Sequence, residues 1–217
     1  MIKAVIFDMD GLMFDTEALA KEAWLQVGAK LGRPITEAHI ARVRGSTPAA
    51  SAAVFREIFG ADFDYPKAKA MRNAMVEEVI DRQGVPIKRG LVGLLEQLDR
   101  HGLKAAVASS SPRRTVEKYL ALAGVSRYFN CVVGAEDVTR SKPAPDAFLL
   151  AARRLQIPPE ACLALEDSGN GLQGARRAGM KVICIPDIAP PSKECLSLAS
   201  KVFPDLTYVF DWIMTQP

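Results

Sequence analysis

A doubly wound α/β fold, a parallel sheet interrupted by a helical insert, is the class this sequence predicts, and three observations predict it. Five short runs are continuously apolar with no alternation: Ala4-Val5-Ile6-Phe7, Ala105-Ala106-Val107-Ala108, Cys131-Val132-Val133, Cys162-Leu163-Ala164-Leu165 and Val182-Ile183-Cys184-Ile185. Such runs suit strands buried on both faces, as in a parallel sheet covered by its crossover helices. Strand and helix signals then alternate from about residue 90 onward, the order that right-handed crossovers produce. Finally, nearly a hundred residues separate Phe7 from Ala105, far more than one crossover helix needs.

That gap carries helical periodicity and no strand-like alternation. Ala20, Trp24, Val27 and Leu31 share one helical face that ends at Gly32, and Met71, Met75 and Val79 share another, opened by Pro66 and closed by Gly84. The insert is expected to be a helical domain over 16–85, which leaves 1–15 and 86–217 for the α/β core. In the core, Leu91, Leu94, Leu95 and Leu98 line a helix stopped by Gly102. Ser111-Pro112 reads as an N-cap and an N1 proline for a helix whose face is Val116, Tyr119, Leu120 and Ala123, with Gly124 at its end. Leu172, Ala175 and Ala178 repeat the pattern before Gly179.

A chain of 217 residues, 49% hydrophobic and 24% charged, has material for a sizeable core, which excludes disordered, collagenous and coiled-coil classes. Lys+Arg 28 against Asp+Glu 25 gives a net charge of +3. The basic pairs Lys88-Arg89, Arg113-Arg114, Arg153-Arg154 and Arg176-Arg177 are scattered, so no nucleic-acid partner is expected. Cys131, Cys162, Cys184 and Cys195 form no C-x-x-C, which removes zinc and redox motifs. The N-terminus fits no signal peptide, and no stretch approaches the roughly 18 apolar residues of a membrane span. A soluble, cytoplasmic protein without a membrane partner is expected.

Ligands of parallel sheets bind beyond the carboxyl ends of the strands, so the residues just after each apolar run are the candidates for chemistry. Asp8-Met9-Asp10-Gly11 follows the first run, Ser109 and Ser110 the second, and Glu166 and Asp167 the fourth, while Lys142 comes shortly after the third. Carboxylates clustered after adjacent strands repel unless a hard cation sits between them, and an all-oxygen ligand set favours Mg²⁺. Hydroxyls and an ammonium are the donors a transferring phosphoryl group requires. Two carboxylates one residue apart can divide nucleophilic attack and proton transfer between them. D-x-D-G also echoes an EF-hand loop, but Met13 and Leu19 stand where that loop needs its glycine and its bidentate glutamate.

The segment Val5-Ile6-Phe7-Asp8-Met9-Asp10-Gly11-Leu12-Met13-Phe14-Asp15-Thr16-Glu17 resembles the first signature of the haloacid dehalogenase superfamily. Ser109 is similar to its second motif, Ser141-Lys142-Pro143-Ala144-Pro145-Asp146 to its third, and Glu166-Asp167-Ser168 with Gly171 to its fourth. The insertion after the first motif resembles the subclass with a helical cap, which holds phosphatases and the beta-phosphoglucomutase-like enzymes. The resemblance implies a Rossmann-like core and a Mg²⁺-dependent phosphomonoester hydrolase acting on a small phosphorylated metabolite. Asp8 would be the nucleophile that forms an aspartyl-phosphate, and Asp10 the general acid and base. Asp8, the Asp10 backbone carbonyl and Asp167 would hold Mg²⁺, with Glu166 assisting through water; Ser109, Ser110 and Lys142 would bind the phosphoryl oxygens.

Thr16 reads either as a substrate contact or, with Asp15, as an ordinary helix N-cap. Arg44-Gly45-Ser46-Thr47-Pro48 is similar to the cap loop that reaches substrate in this family, or is a turn between helices, so Arg44 and Gly45 are candidate substrate residues. His39 and His101 lie in helical contexts that suit neither a triad nor a metal. Beta-phosphoglucomutases carry a cap histidine after the first motif and an arginine in the cap loop. Here Glu17-Ala18-Leu19-Ala20-Lys21 has no histidine, and no arginine follows Gly45 in Ser46-Thr47-Pro48. Hydrolysis is therefore expected, with a phosphosugar mutase served by Arg44 as the alternative.

Overall fold

Strand β1 (Ala4–Phe7) is buried at every position, as its four apolar residues require. The computed structural model describes residues 1–44 and 46–216. They divide into two units, Met1–Asp15 with Val85–Pro217, and Thr16–Gly84. The second unit comprises helices α1 (Thr16–Lys30), α2 (Glu37–Val43), α3 (Pro48–Phe59) and α4 (Tyr65–Gln83). Its helix ends have local causes. The Thr36 hydroxyl accepts from the His39 amide while the His39 ring accepts from the Thr36 amide, so His39 closes a capping box. Thr47 and Asp64 cap α3 and α4, whose first turns hold Pro48 and Pro66.

Aromatic rings fill the interior of this unit: Trp24 stacks on Phe55 with centroids 5.0 Å apart, and Phe55 on Phe63 at 5.3 Å. Gly28 permits the close approach of the chain after α1, because a Cβ there would lie 2.4 Å from the Ile35 amide nitrogen. The buried stripe of α4 differs from the one expected. Tyr65, Ala68, Val76 and Ile80 face inward, whereas Met71, Met75 and Val79 are half-buried, with Met71 and Met75 against the edge of the aromatic cluster.

In the first unit the chain runs through α5 (Leu91–Arg100), β2 (Lys104–Ala108), α6 (Arg113–Leu122), β3 (Cys131–Val133) and α7 (Asp146–Leu155). It continues through β4 (Cys162–Glu166), α8 (Gly169–Arg177), β5 (Lys181–Cys184), α9 (Lys193–Leu196), β6 (Lys201–Val202) and α10 (Val209–Met214). The strands form one parallel sheet in the order β3-β2-β1-β4-β5-β6, with Phe7 paired to Val107 on one side and to Leu165 on the other. This is the doubly wound α/β class, with a sixth strand that the apolar runs do not announce. Lys201 and Val202 are both exposed at the sheet edge, so no hydrophobic pattern marks them.

Ala4, Ile6, Ala106, Ala108 and Ala164 turn one face of the sheet to a core with Phe148 and Leu155 of α7 and Leu172 and Ala175 of α8. Strand order reverses at β1: β2 and β3 lie to one side, β4 to β6 to the other. The carboxyl end of β1 is thus the switch point where this class of sheet opens a crevice. Among the described residues no helix is long and apolar enough to cross a membrane.

Just beyond β3, Asp137 ties the sheet edge together. Its carboxylate accepts two bonds from Arg113 at 2.8 Å, one from Arg154 at 2.9 Å and one from the Gly134 amide at 2.8 Å. Arg154, then Gly134 and Arg113, hold the carboxyl well below the usual carboxylate range. A depressed folded-state pKa contributes stability above the unfolded value near 4, lost as pH falls through the folded one. Asp137→Asn is therefore expected to be less stable than wild type in urea unfolding at pH 7. The gap should narrow progressively below about pH 4, where the carboxylate of the unfolded wild-type chain gains its proton while the folded one stays ionised; a gap that stays constant down to pH 2 would show that the charge contributes nothing.

Candidate active site

The end of β1 places Asp8 in the crevice, its amide donating to the Leu165 carbonyl at 3.0 Å as the last link to β4. The chain then coils tightly: Met13 and Phe14 donate to the Met9 carbonyl, and Gly11 donates to Phe14, with Gly11 at φ +82°. This turn brings Asp10 round so that its Oδ2 accepts from the Ser111 hydroxyl at 2.7 Å. Ser111, expected as the N-cap of α6, has that role replaced: Pro112 is the cap residue, and Glu136 receives the first free amide, that of Arg113. Ser109 is buried and its hydroxyl accepts from the Ser111 amide at 2.9 Å.

Lys142, in the loop between β3 and α7, is 7% exposed. Its ammonium donates to Asp8 Oδ1 at 2.5 Å, Glu166 Oε1 at 2.5 Å and the Ala108 carbonyl at 2.8 Å. An ammonium has three donors, and all three are used. Its Nζ also lies 4.9 Å from the centroid of the Phe148 ring. Burial pushes the Asp8 carboxyl up, with Glu166 and Asp10 adding to the shift and Lys142 opposing it. Burial alone would lower the Lys142 ammonium, but Asp8 and Glu166 hold it above its ordinary range. Burial, then Asp167 and Glu166, push the neighbouring Cys184 thiol up to about 12, which leaves it an inert core residue.

Asp8, Glu166 and Asp167 each offer an oxygen, all within 4.8 Å of one another. Glu166 is fully buried, and its Oε2 accepts from the Ser168 hydroxyl at 3.1 Å. A Cβ on Gly171 would lie 1.9 Å from the Glu166 carboxyl carbon, so only glycine lets the first turn of α8 pass over that carboxylate. Gly11 is cradled in the same way, between Asp167 Oδ2 at 2.5 Å and Asp187 Oδ2 at 3.2 Å from its would-be Cβ. Asp187 Oδ1 accepts from Lys88 at 2.5 Å, while its Oδ2 is buried with no hydrogen-bond partner. Buried carboxylates thus outnumber the cations beside them, and one carboxylate oxygen lacks a donor. A hard divalent cation with oxygen ligands fits this set.

Asp8, Asp10, Ser109, Lys142, Glu166 and Asp167, singled out from the sequence, all stand at this sheet edge. Ser110 is exposed beside them. Thr16 is buried at the start of α1 and Arg44 half-buried after α2, both in the second unit, while Gly45 lies outside the described residues. Ser111, Asp187 and Lys88 were not anticipated. Asp187 had a signal, since Pro186-Asp187 follows the fifth apolar run just as the other acids follow theirs. Ser111 had none, because Ser-Pro reads as a helix start.

Known proteins share this architecture. The model of the haloacid dehalogenase-like hydrolases matches residues 5–185. A fructose-1-phosphate phosphatase of Escherichia coli K12 is 34% identical over 185 residues, covering 82% of this chain and 94% of that protein. A phosphorylated carbohydrates phosphatase of Thermotoga maritima is 30% identical over 182 residues, 84% of each. The crystal structure of CbbY from Rhodobacter sphaeroides in complex with phosphate superposes with a TM-score of 0.82 at 26% identity, covering 96% of both chains. Two relatives from Arabidopsis thaliana are longer proteins, of which the chain spans 18% and 53%.

The Gly171–Glu166 contact can be tested by adding one methyl group. Gly171→Ala is expected to cost about 1–3 kcal/mol in denaturant unfolding, the usual range for overpacking. In a Glu166→Ala background the same methyl should cost much less, because the atoms it meets are gone. Equal cost in both backgrounds would show that the clash lies elsewhere.

Proposed function

The chain belongs to the haloacid dehalogenase-like hydrolase family, and from that premise we propose that it is a Mg²⁺-dependent phosphatase of small phosphorylated metabolites working through an aspartyl-phosphate. The observation that carries the reading is the setting of Asp8, a buried carboxylate at the switch point of the sheet, bonded to Lys142 and within 4.8 Å of Glu166 and Asp167. The phosphatase names of the bacterial relatives, one acting on fructose 1-phosphate and one on phosphorylated carbohydrates, support a sugar phosphate as substrate. A cytoplasmic location is supported by four cysteines that all remain free thiols.

Asp8, the Asp10 backbone carbonyl and Asp167 would hold Mg²⁺, with Glu166 in support; when bound, the ion supplies neutralisation of the phosphoryl oxygens that would otherwise repel an anionic nucleophile. A carboxylate oxygen of Asp8 attacks phosphorus as the bond to the leaving oxygen breaks. Asp10, its carboxyl steered by the Ser111 hydroxyl, gives that oxygen a proton. In the second half Asp10, now ionised, takes a proton from the water that attacks the phosphoryl group. The Asp8–phosphorus bond breaks and phosphate leaves. Lys142 opposes the burial that pushes the Asp8 carboxyl up, and Ser109 and Ser110 supply donors to the phosphoryl oxygens.

Asp8→Asn is expected to lower kcat at least a thousandfold in a phosphate-release assay while circular dichroism stays unchanged. Retention of a tenth of the activity would remove Asp8 as nucleophile. EDTA should silence the wild type and added Mg²⁺ restore it, with Asp167→Ala needing at least tenfold more Mg²⁺ for half-maximal rate. Full activity in EDTA would sink the metal assignment.

A further inference from the structure

Asp187 belongs to none of the four sequence motifs, yet it stands at the same carboxyl edge of the sheet as the acids that do. The end of β5 brings it there: the Ile185 amide donates to the Glu166 carbonyl at 2.8 Å, which sets Pro186-Asp187 alongside Glu166-Asp167. Only 9% of the Asp187 side chain is exposed. Lys88, whose own amide donates to the Met13 carbonyl at 2.9 Å, donates to Asp187 Oδ1 at 2.5 Å. The same ammonium lies 3.8 Å from Asp15, so the pair is anchored where the chain leaves the turn after β1. Oδ2 remains, buried and with no hydrogen-bond partner. It lies on the side of Gly11 that Asp167 Oδ2 also occupies, the two being 3.2 Å and 2.5 Å from where a Cβ would stand. A carboxylate pinned through one oxygen thus turns the other, without a donor, toward a second carboxylate. Such an oxygen forfeits its hydration, and the neighbouring charge adds repulsion to the loss.

We propose that Asp187 is a positioning residue for the metal, its Oδ2 accepting a hydrogen bond from the hydration shell of the cation while Lys88 occupies Oδ1. Mg²⁺ dehydrates reluctantly, keeps several waters and takes only one or two carboxylates directly. With Asp8 and Asp167 in direct contact, an acceptor beside Asp167 suits the ion's waters, and those waters bring the donor that Oδ2 lacks. The inference rests on the Mg²⁺ reading of the site and deepens it by a residue from outside the motifs. An ordered water alone would also satisfy Oδ2, but Mg²⁺ affinity would then be independent of Asp187.

The measurement is the Tm of the full chain, freed of metal by EDTA and dialysis, at graded Mg²⁺ concentrations and without substrate, so that no turnover enters it. A cation that binds the folded state raises Tm with a concentration dependence that gives its dissociation constant. Asp187→Ala is expected to raise that constant at least about tenfold, the usual cost of losing an outer partner of a metal site. Asp187→Asn, equal in shape and one charge poorer, should raise it at least about threefold. Lys88→Met should not raise it, because removing a cation beside the site strengthens its pull on Mg²⁺, which outweighs the loss of a tether. Circular dichroism shows that each variant is folded. An unaltered constant in both Asp187 variants would overturn the inference and leave Oδ2 to an ordered water. An equal rise in Lys88→Met would overturn it too, by tracing the loss to the broken ion pair. A wild type whose Tm ignores Mg²⁺ would remove the metal reading itself and the inference with it, an outcome distinct from the other two.

Discussion

One buried ammonium organises the α/β unit. Lys142 bonds at once to the end of β1 through Asp8, to the end of β2 through the Ala108 carbonyl and to the end of β4 through Glu166. Three adjacent strands are thereby joined across their carboxyl ends by a side chain that comes from a loop beyond a fourth. Neither partner could stand there alone, since an unpaired buried carboxylate or ammonium costs several kcal/mol. The arrangement is stable only as a set, and the set places the Asp8 carboxylate at the carboxyl end of β1, where the strand order reverses.

Packing makes the set possible. Ala106, Ala108 and Ala164 carry so little volume that Phe148 of α7 comes up beneath the sheet, and its ring supports the Lys142 ammonium from below. Glycine has a like role, since Gly171 clears space for the Glu166 carboxylate and Gly11 for those of Asp167 and Asp187. The chemistry of the site therefore depends on residues with no chemistry of their own. Their role is to let charged groups come closer than any side chain would allow.

Much of this can be read along the chain, and where it cannot there are physical reasons. Apolar runs locate five strands because burial on both faces leaves no alternation to confuse with a helix, while the exposed pair Lys201 and Val202 leaves no trace. Residues after the runs identify Asp8, Ser109, Glu166 and Asp167, because a parallel sheet directs every strand end to one edge. Asp187 obeys the same rule after the fifth run. Ser111 is harder, because Ser-Pro favours a helix start and a hydroxyl can serve either an amide or a carboxylate; here Asp10 takes it and Glu136 serves the helix instead. On α4 the half-buried methionines gave the stronger hydrophobic signal, although Ala68, Val76 and Ile80 face inward.

The two units use positive charge in opposite ways. Lys142 is surrounded by acids of its own chain, so its charge is spent internally and its function is to hold carboxylates in place. Lys69 and Arg72 lie one turn apart on α4 and Arg44 follows α2, and the fold brings all three to one cavity that Glu17 also lines. A compensated buried cation is explained by its partners. The Nε atoms of Arg44 and Arg72 instead stay buried without an acceptor, so the second unit carries a polar cost that the α/β unit avoids at Lys142 by pairing.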